Sequence, residues 1–297
     1  MCPSRIYEGM DMNRKLGLLL MLLTLPVHAE PEALVQAVQM PAWLQRGDSM
    51  RPLRVGAELQ NGDRLITGVN ARIYVQTADG STVKLGERAS LAIGALSPKQ
   101  PDSPVFRAVL DVLKGAFRFT TSTLNKLRQR NVTINVAGAT VGIRGTDVWG
   151  KDGAELGVVC LIEGKINVTG VDNNEFVMDQ PLSFYKMPKG QAPLPVGLVD
   201  AEQLAKWAAE TEIAQPASKV GGKWKLVLLT APEQASALAA YDQWQAAGYD
   251  ARLHPVAHEG GWSYELRIVQ LASRAEAEQL AAQLKGRLGA ENPSVSR

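Results

Sequence analysis

Between Ala33 and about Lys189, short runs of residues alternate apolar with polar, and turn dipeptides separate the runs. In Asn131–Val136, Val132, Ile134 and Val136 point one way while Thr133 and Asn135 point the other. A period of two marks a strand with one face on a core and one in water. Asn61-Gly62, Asp79-Gly80 and Asp152-Gly153 are strong turn signals; Glu163-Gly164 and Asn173-Asn174 are weaker ones. Further runs fall at Ala71–Thr77, Val105–Leu110, Gly115–Thr120 and Lys165–Thr169. Leu156–Ile162 is apolar at both parities, which predicts a central strand. The pattern predicts an all-β N-terminal domain over residues 30–190. It fits a sandwich or a β-helix-like roll and does not choose between them.

Within this region Val136–Trp149 carries three glycines, Gly138, Gly142 and Gly145, among apolar and β-branched residues. Such a density predicts close backbone approach or a special backbone angle. Arg144 stands in an apolar setting and needs a partner there. Asp147 is the candidate for a structural ion pair with it. Gly142, Arg144, Gly145, Thr146 and Asp147 therefore read as a structural signature, a turn and strand with Arg144 tying strands together. Ser122–Arg130 is polar and basic and reads as a solvated loop or short helical turn, with Lys126, Arg128 and Arg130 as its cations.

At 297 residues the chain has room for more than one domain. Residues 1–29 read as a cleaved secretory signal peptide: Arg14 and Lys15, the apolar core Leu16–Leu25, then Val27-His28-Ala29. Met12 is an alternative start. No Cys stands directly after the cleavage site to carry a lipid anchor, and no later segment is apolar enough to span a membrane, so a soluble periplasmic protein is expected. Without the leader the chain carries 29 basic and 28 acidic residues, a balance that offers nucleic acid no basic face. Cys160 is the one cysteine outside the leader and reads as buried and inert.

Gly62–Thr67, Ala78–Val83, Leu113–Arg118, Ala139–Val148 and Leu161–Ile166 come in an order and spacing that resembles the FecR domain family, over about Trp43 to Thr169. The family takes its name from a regulator that relays an outer-membrane signal to a sigma factor. That regulator has a cytoplasmic segment and a transmembrane helix, neither of which is read in this chain. The resemblance thus implies the extracytoplasmic domain, acting as an interaction scaffold for an unknown envelope protein.

Residues 191–222 read as a linker, rich in proline and glycine at its start, with a short helix capped by Asp200. Leu204, Trp207, Ala208 and Ile213 give that helix a face to dock on one of the two domains. From residue 223 the pattern changes to strand, helix, strand, strand, helix. Thr230–Glu233 and Ser273–Glu276 are capping-box sequences 43 residues apart, which predicts a β-α-β duplication. A small α+β, ferredoxin-like C-terminal domain over 223–297 is expected, with at most a stub of fourth strand.

This tail resembles the SPOR domain family in length, element order and the pieces Tyr264–Ile268 and Ser273–Ala277. The family binds peptidoglycan, in particular glycan strands stripped of peptide. Two pieces depart from the family pattern: Val227-Leu-Leu229 stands where Gln-x-Gly is usual, and Gln270-Leu-Ala272 where a Gly-Pro-Phe-like end is usual. Parity aims Leu226, Leu228, Ala251, Leu253, Leu266 and Ile268 at the helices. It aims Lys225, Val227, Leu229, Asp250, Arg252, His254, Glu265, Arg267 and Val269 the other way. Lys225, Arg252, His254 and Arg267 are therefore the glycan-binding candidates, since such side chains hydrogen-bond sugar hydroxyls and carboxylates.

No nucleophile elbow, phosphate loop or zinc-protease helix is present, and Asp111, Asp147 and Asp152 form no acid–base pair. His254 and His258 straddle Pro255 in what reads as an inter-strand loop and make a poor metal site. No catalytic residue, metal or cofactor is expected. The expectation is a non-enzymatic envelope protein whose tail holds peptidoglycan. The alternative is a signalling or assembly adaptor whose tail docks on protein through the apolar trio Val227, Leu229 and Val269.

Overall fold

The computed structural model describes residues 32–97, 105–122, 129–214 and 216–297. The expected leader, with Lys126 and Arg128, lies outside the described residues. The N-terminal strands are β1 (Ala33–Gln39), β2 (Ala42–Arg46), β3 (Ser49–Pro52), β4 (Arg64–Thr67), β5 (Arg72–Thr77), β6 (Thr82–Leu85), β7 (Ser90–Leu96) and β8 (Val105–Thr120). They continue as β9 (Gln129–Val136), β10 (Ala139–Ile143), β11 (Asp147–Asp152), β12 (Leu156–Glu163), β13 (Ile166–Thr169), β14 (Glu175–Met178), β15 (Ser183–Pro188) and β16 (Gly197–Leu198). Then follow α1 (Ala201–Thr211), β17 (Ser218–Lys219), β18 (Trp224–Ala231), α2 (Gln234–Ala246), β19 (Ala251–His258), β20 (Gly261–Leu271), α3 (Arg274–Leu284) and β21 (Ser294–Ser296).

The N-terminal domain is a sandwich. One sheet runs β1-β5-β6-β8-β11-β12-β15-β16, and the other β3-β2-β4-β7-β8-β9-β10-β13-β14. Among the described residues every pairing is antiparallel except β8 with β9. Strand β8 serves both sheets, where two separate runs, Val105–Leu110 and Gly115–Thr120, were expected. It turns the corner at Gly115, whose φ is 82° and where a Cβ would sit 2.6 Å from Ala89 Cα. A strand that changes sheet closes a sandwich at its corner. Inward positions of both sheets, among them Leu44, Ile73, Phe117, Phe119, Ile134, Val141 and Leu161, form one core. Leu156–Ile162 falls in β12, a strand paired on both sides and buried through its middle.

Helix α1 is not a free connector but an added layer on the first sheet. Asp200 accepts a hydrogen bond from Gln203 N at 2.8 Å and so starts the helix. Trp207 stacks on Trp149 with ring centroids 4.9 Å apart, and Phe184 meets Trp207 edge-on. Beneath it Cys160 is fully buried, and burial, then the charge of Asp147, pushes its thiol up to about 12.

The C-terminal strands lie in the order β21-β18-β20-β19, with α2 and α3 packed on one face, a ferredoxin-like arrangement. The fourth strand is the expected stub. Ser273 caps α3, accepting from Glu276 N at 3.1 Å. The first capping box does not form: Thr230 is still in β18, and α2 begins after Glu233, which makes no side-chain cap.

Candidate functional site

The signature stretch divides into β10, a turn at Arg144–Thr146, and β11. Val141, Ile143 and Val148 enter the core, and Trp149 points the other way into the α1 layer. Gly145 takes φ 80°, and a Cβ on Gly164 would meet Gly145 O at 2.5 Å, so both glycines are required by the turn. Thr146 N donates to Thr121 Oγ1 at 2.9 Å.

The expected Arg144–Asp147 pair does not exist. Asp147 is held instead by Arg118, through Nε at 2.9 Å and Nη2 at 2.6 Å. Arg118 also reaches Glu212, at the end of α1, at 3.0 Å, and Lys84 joins Glu212 at 2.7 Å. The bidentate hydrogen bonding of Asp147, the largest effect, raises the Arg118 guanidinium further above its ordinary value. Arg144 is exposed, so it needs no partner. Arg118 was legible only as a polar position between the inward Phe117 and Phe119; its partner lies across the β8–β11 ladder, which no local pattern encodes.

In the C-terminal sheet the candidates gather on the face away from the helices. Val227, Arg267 and Arg252 lie in one row across β18, β20 and β19, and Glu265 and His254 in the next. Lys225 sits opposite Ser296 on β18 and β21. Arg267 is engaged by Glu265, two residues away on the same face, with Nε to Oε2 at 2.6 Å. Arg252 holds Asp250 at 3.0 Å, and Asp250 also takes Arg54 of the N-terminal domain at 2.8 Å. A guanidinium beside a carboxylate offers donors and acceptors side by side, which suits hydroxyl groups that both give and accept.

Two expectations fail here. Leu229 is not on the open face: a bulge puts it opposite Leu266, where it packs on the helix-side core. The apolar trio is thereby reduced to Val227 and Val269. His254 and His258 are not in a loop, because β19 continues through Pro255 to His258. Among the described residues no group of three or more His, Cys, Asp or Glu side chains could hold a metal.

A groove of about 730 Å³ opens between α1 and the first sheet, lined by Trp149, Phe184, Lys186, Asp200 and Trp207 among others. The indole nitrogen of Trp149 is buried there without a hydrogen-bond partner. None of these aromatics was singled out for a shared groove by the sequence, because strands and helix meet only in the fold.

Residues 63–167 match the family described as FecR protein, and residues 220–297 match the SPOR domain. No curated protein matches the chain. Two crystal structures of a protein from Parabacteroides distasonis ATCC 8503, described as a candidate anti-sigma factor, are similar to it. At 1.65 and 2.50 Å resolution they show 14% and 15% identity with TM-scores of 0.39 and 0.38. Both alignments cover 74% of this chain, and they cover 91% and 89% of the other chains. Among the described residues no helix is long and apolar enough to cross a membrane.

Proposed function

With a FecR domain and a SPOR domain joined in one chain, we propose that this is a periplasmic, non-enzymatic envelope protein that binds peptidoglycan glycan through its C-terminal sheet. The FecR domain serves as the scaffold for an envelope partner protein. The observation that carries the reading is the match of the whole tail to a domain family associated with peptidoglycan, together with the row of Arg267 and Arg252 on its open face. The leader read at residues 1–29 supports export.

The experiment is a pull-down on purified sacculi, intact and amidase-treated. Enrichment on the stripped material over the intact is expected. Arg267→Ala should weaken retention about tenfold or more, the ordinary worth of a charge-assisted hydrogen bond. No enrichment on either material refutes the glycan reading. The adaptor reading has one observation of its own: Arg267 and Arg252 are already paired within the chain. Crosslinking with mass spectrometry that finds protein neighbours of the tail, with no sacculus binding, would favour it.

A further inference from the structure

The outer face of the second sheet carries a feature the fold does not require. Gly142 lies in the middle of β10, opposite Thr133 on β9 and Asn167 on β13. Its φ is not positive, and a Cβ there would meet only Asn167, at 3.8 Å, an ordinary contact. Neither backbone angle nor internal packing therefore asks for glycine. What the missing side chain does is leave the floor of a depression bare.

That depression has a volume of about 450 Å³, and its exposed rim is basic and amide-rich: Arg107, Asn131, Arg144 and Asn167. Arg107 and Asn131 are direct partners across β8 and β9, and Arg144 follows β10 one residue past its last paired position. Arg107, Arg144, Asn131 and Asn167 are exposed, so no burial dictates their type. No carboxylate lines the depression among the described residues. Arg130 differs: it shares the inward parity of Val132 and Ile134 and is committed to buried Asp79 at 2.7 Å, so the donors on the outer face are Arg107, Arg144, Asn131 and Asn167. Guanidinium forks and amide donors converging on a bare backbone strand are complementary to a planar or tetrahedral oxyanion. Bare backbone also admits a ligand closely.

We infer that this Gly142-floored depression is an oxyanion site that takes the carboxylate or phosphate groups of an extended polyanion along the sheet face. The site lies on the FecR domain, is separate from the C-terminal sheet, and stands whether or not that sheet holds glycan.

The test uses the full chain and two fluorescently labelled probes, poly-glutamate and polyphosphate, with binding followed by anisotropy at about 0.1 M salt, where distant charges are largely screened. Binding of either probe is expected, and which one binds identifies the oxyanion. Arg107→Gln and Arg144→Gln should each weaken it about tenfold or more, the range of one charge-assisted hydrogen bond. Gly142→Leu, which fills the floor and leaves the charge unchanged, should weaken it at least about fivefold, since it blocks close approach. Arg51→Gln, an exposed arginine on β3 at the far edge of the same sheet, should leave affinity unchanged. Absence of binding to both probes overturns the inference. So does equal loss in Arg51→Gln and Arg144→Gln, which would mean unspecific attraction, and so does full affinity in Gly142→Leu. Thermal unfolding of each variant checks that it is folded, and the two exposed arginine substitutions keep the test decisive if Gly142→Leu is not.

Discussion

Asp147 and Arg144 stand three residues apart and do opposite things. Asp147 is mostly buried and carries both forks of Arg118, whereas Arg144 lies in solvent. Removing one partner of a largely buried pair strands the other, while trimming a solvated side chain is nearly neutral. Asp147→Asn should therefore lower stability by about 2–3 kcal/mol and Arg144→Gln by less than about 0.5 kcal/mol, read from urea unfolding midpoints. Equal effects would mean that the ion pair is not structural. A second carboxylate, Asp79, is fully buried in the Asp-Gly turn after β5. Burial pushes its pKa up, but donors from Ser81, Thr77 and Arg130 outweigh burial and leave it below the usual carboxylate value. A folded-state value below the unfolded one means the native state binds fewer protons. Its contribution is thus complete above the unfolded value, near 3.9, and is lost as pH falls below that through the folded value. Asp79→Asn should cost about 2 kcal/mol at neutral pH and flatten the acid limb of the stability profile below about pH 4. An unchanged acid limb would contradict this. The sequence marks Asp79 as a turn residue, correctly, but an Asp-Gly turn is ordinarily wet. Among the described residues, the return of Ser122 and Arg130 beside it makes the carboxylate internal.

Strands β5, β9 and β13 were legible because alternation records a dry face directly, yet β1, β7 and β15 alternate in burial as well and were not singled out. Register was not legible, because a bulge shifts every position after it while leaving composition unchanged. The bulge in β18 carries Leu229 to the helix side, and an irregularity at the end of β20 puts Gln270 at φ 63°. This is the piece that departs from the SPOR pattern, where glycine is usual. Gly222 faces the same spot: a Cβ on it would lie 2.1 Å from Gln270 O, so two segments cross there with no room between them. A left-handed conformation costs a non-glycine residue about 1 kcal/mol. Gln270→Gly should raise stability by up to about 1 kcal/mol, partly offset by the greater freedom of the unfolded chain. Gly222→Ala should lower stability by more than that and shift the end of β20. Denaturant midpoints of the two variants, moving in opposite directions, are the check, and a loss in both would show that the strand end is not strained at Gln270. The failed capping box before α2 has the same origin. Thr230 carries the local code for a helix start, yet it pairs opposite Glu265 in the sheet, and tertiary pairing overrides a weak local preference.

The last residues of the linker read over 191–222 are the seam of the molecule. Ser218 and Lys219 pair with β1 on one side, and Ser218 meets Leu271 at the end of β20 on the other, so a sheet passes without a break from one domain to the next. Glu276, buried at the start of α3, accepts from Ala217 N at 3.1 Å and meets Lys219 at 3.5 Å, where the box sequence alone would have sent it back to its own helix. On the opposite flank Ala42 N donates to Gly248 O at 3.0 Å, and Trp43 packs so close that a Cβ on Gly248 would sit 2.5 Å from its ring. Met40 touches both apolar cores. Composition marked residues up to 222 as linker because glycine and proline are common there, but composition is blind to a two-residue strand. Flexible linkers leave domains that melt separately, whereas a shared sheet and a packed tryptophan couple them. The native chain should accordingly unfold in one calorimetric transition. Trp43→Ala removes a half-buried ring and should weaken the coupling by about 2–3 kcal/mol, below the full cost of a core aromatic. Its thermogram should then resolve into two transitions, with the C-terminal domain melting by itself. A single transition at an unchanged ratio of calorimetric to van't Hoff enthalpy would show that Trp43 does not join the domains. Two transitions in the unmodified chain would show that the seam does not hold them as one unit. If the coupling holds, a ligand on the C-terminal sheet must also raise the unfolding temperature of the FecR domain. Anything that stabilises one part of a cooperative unit stabilises the whole.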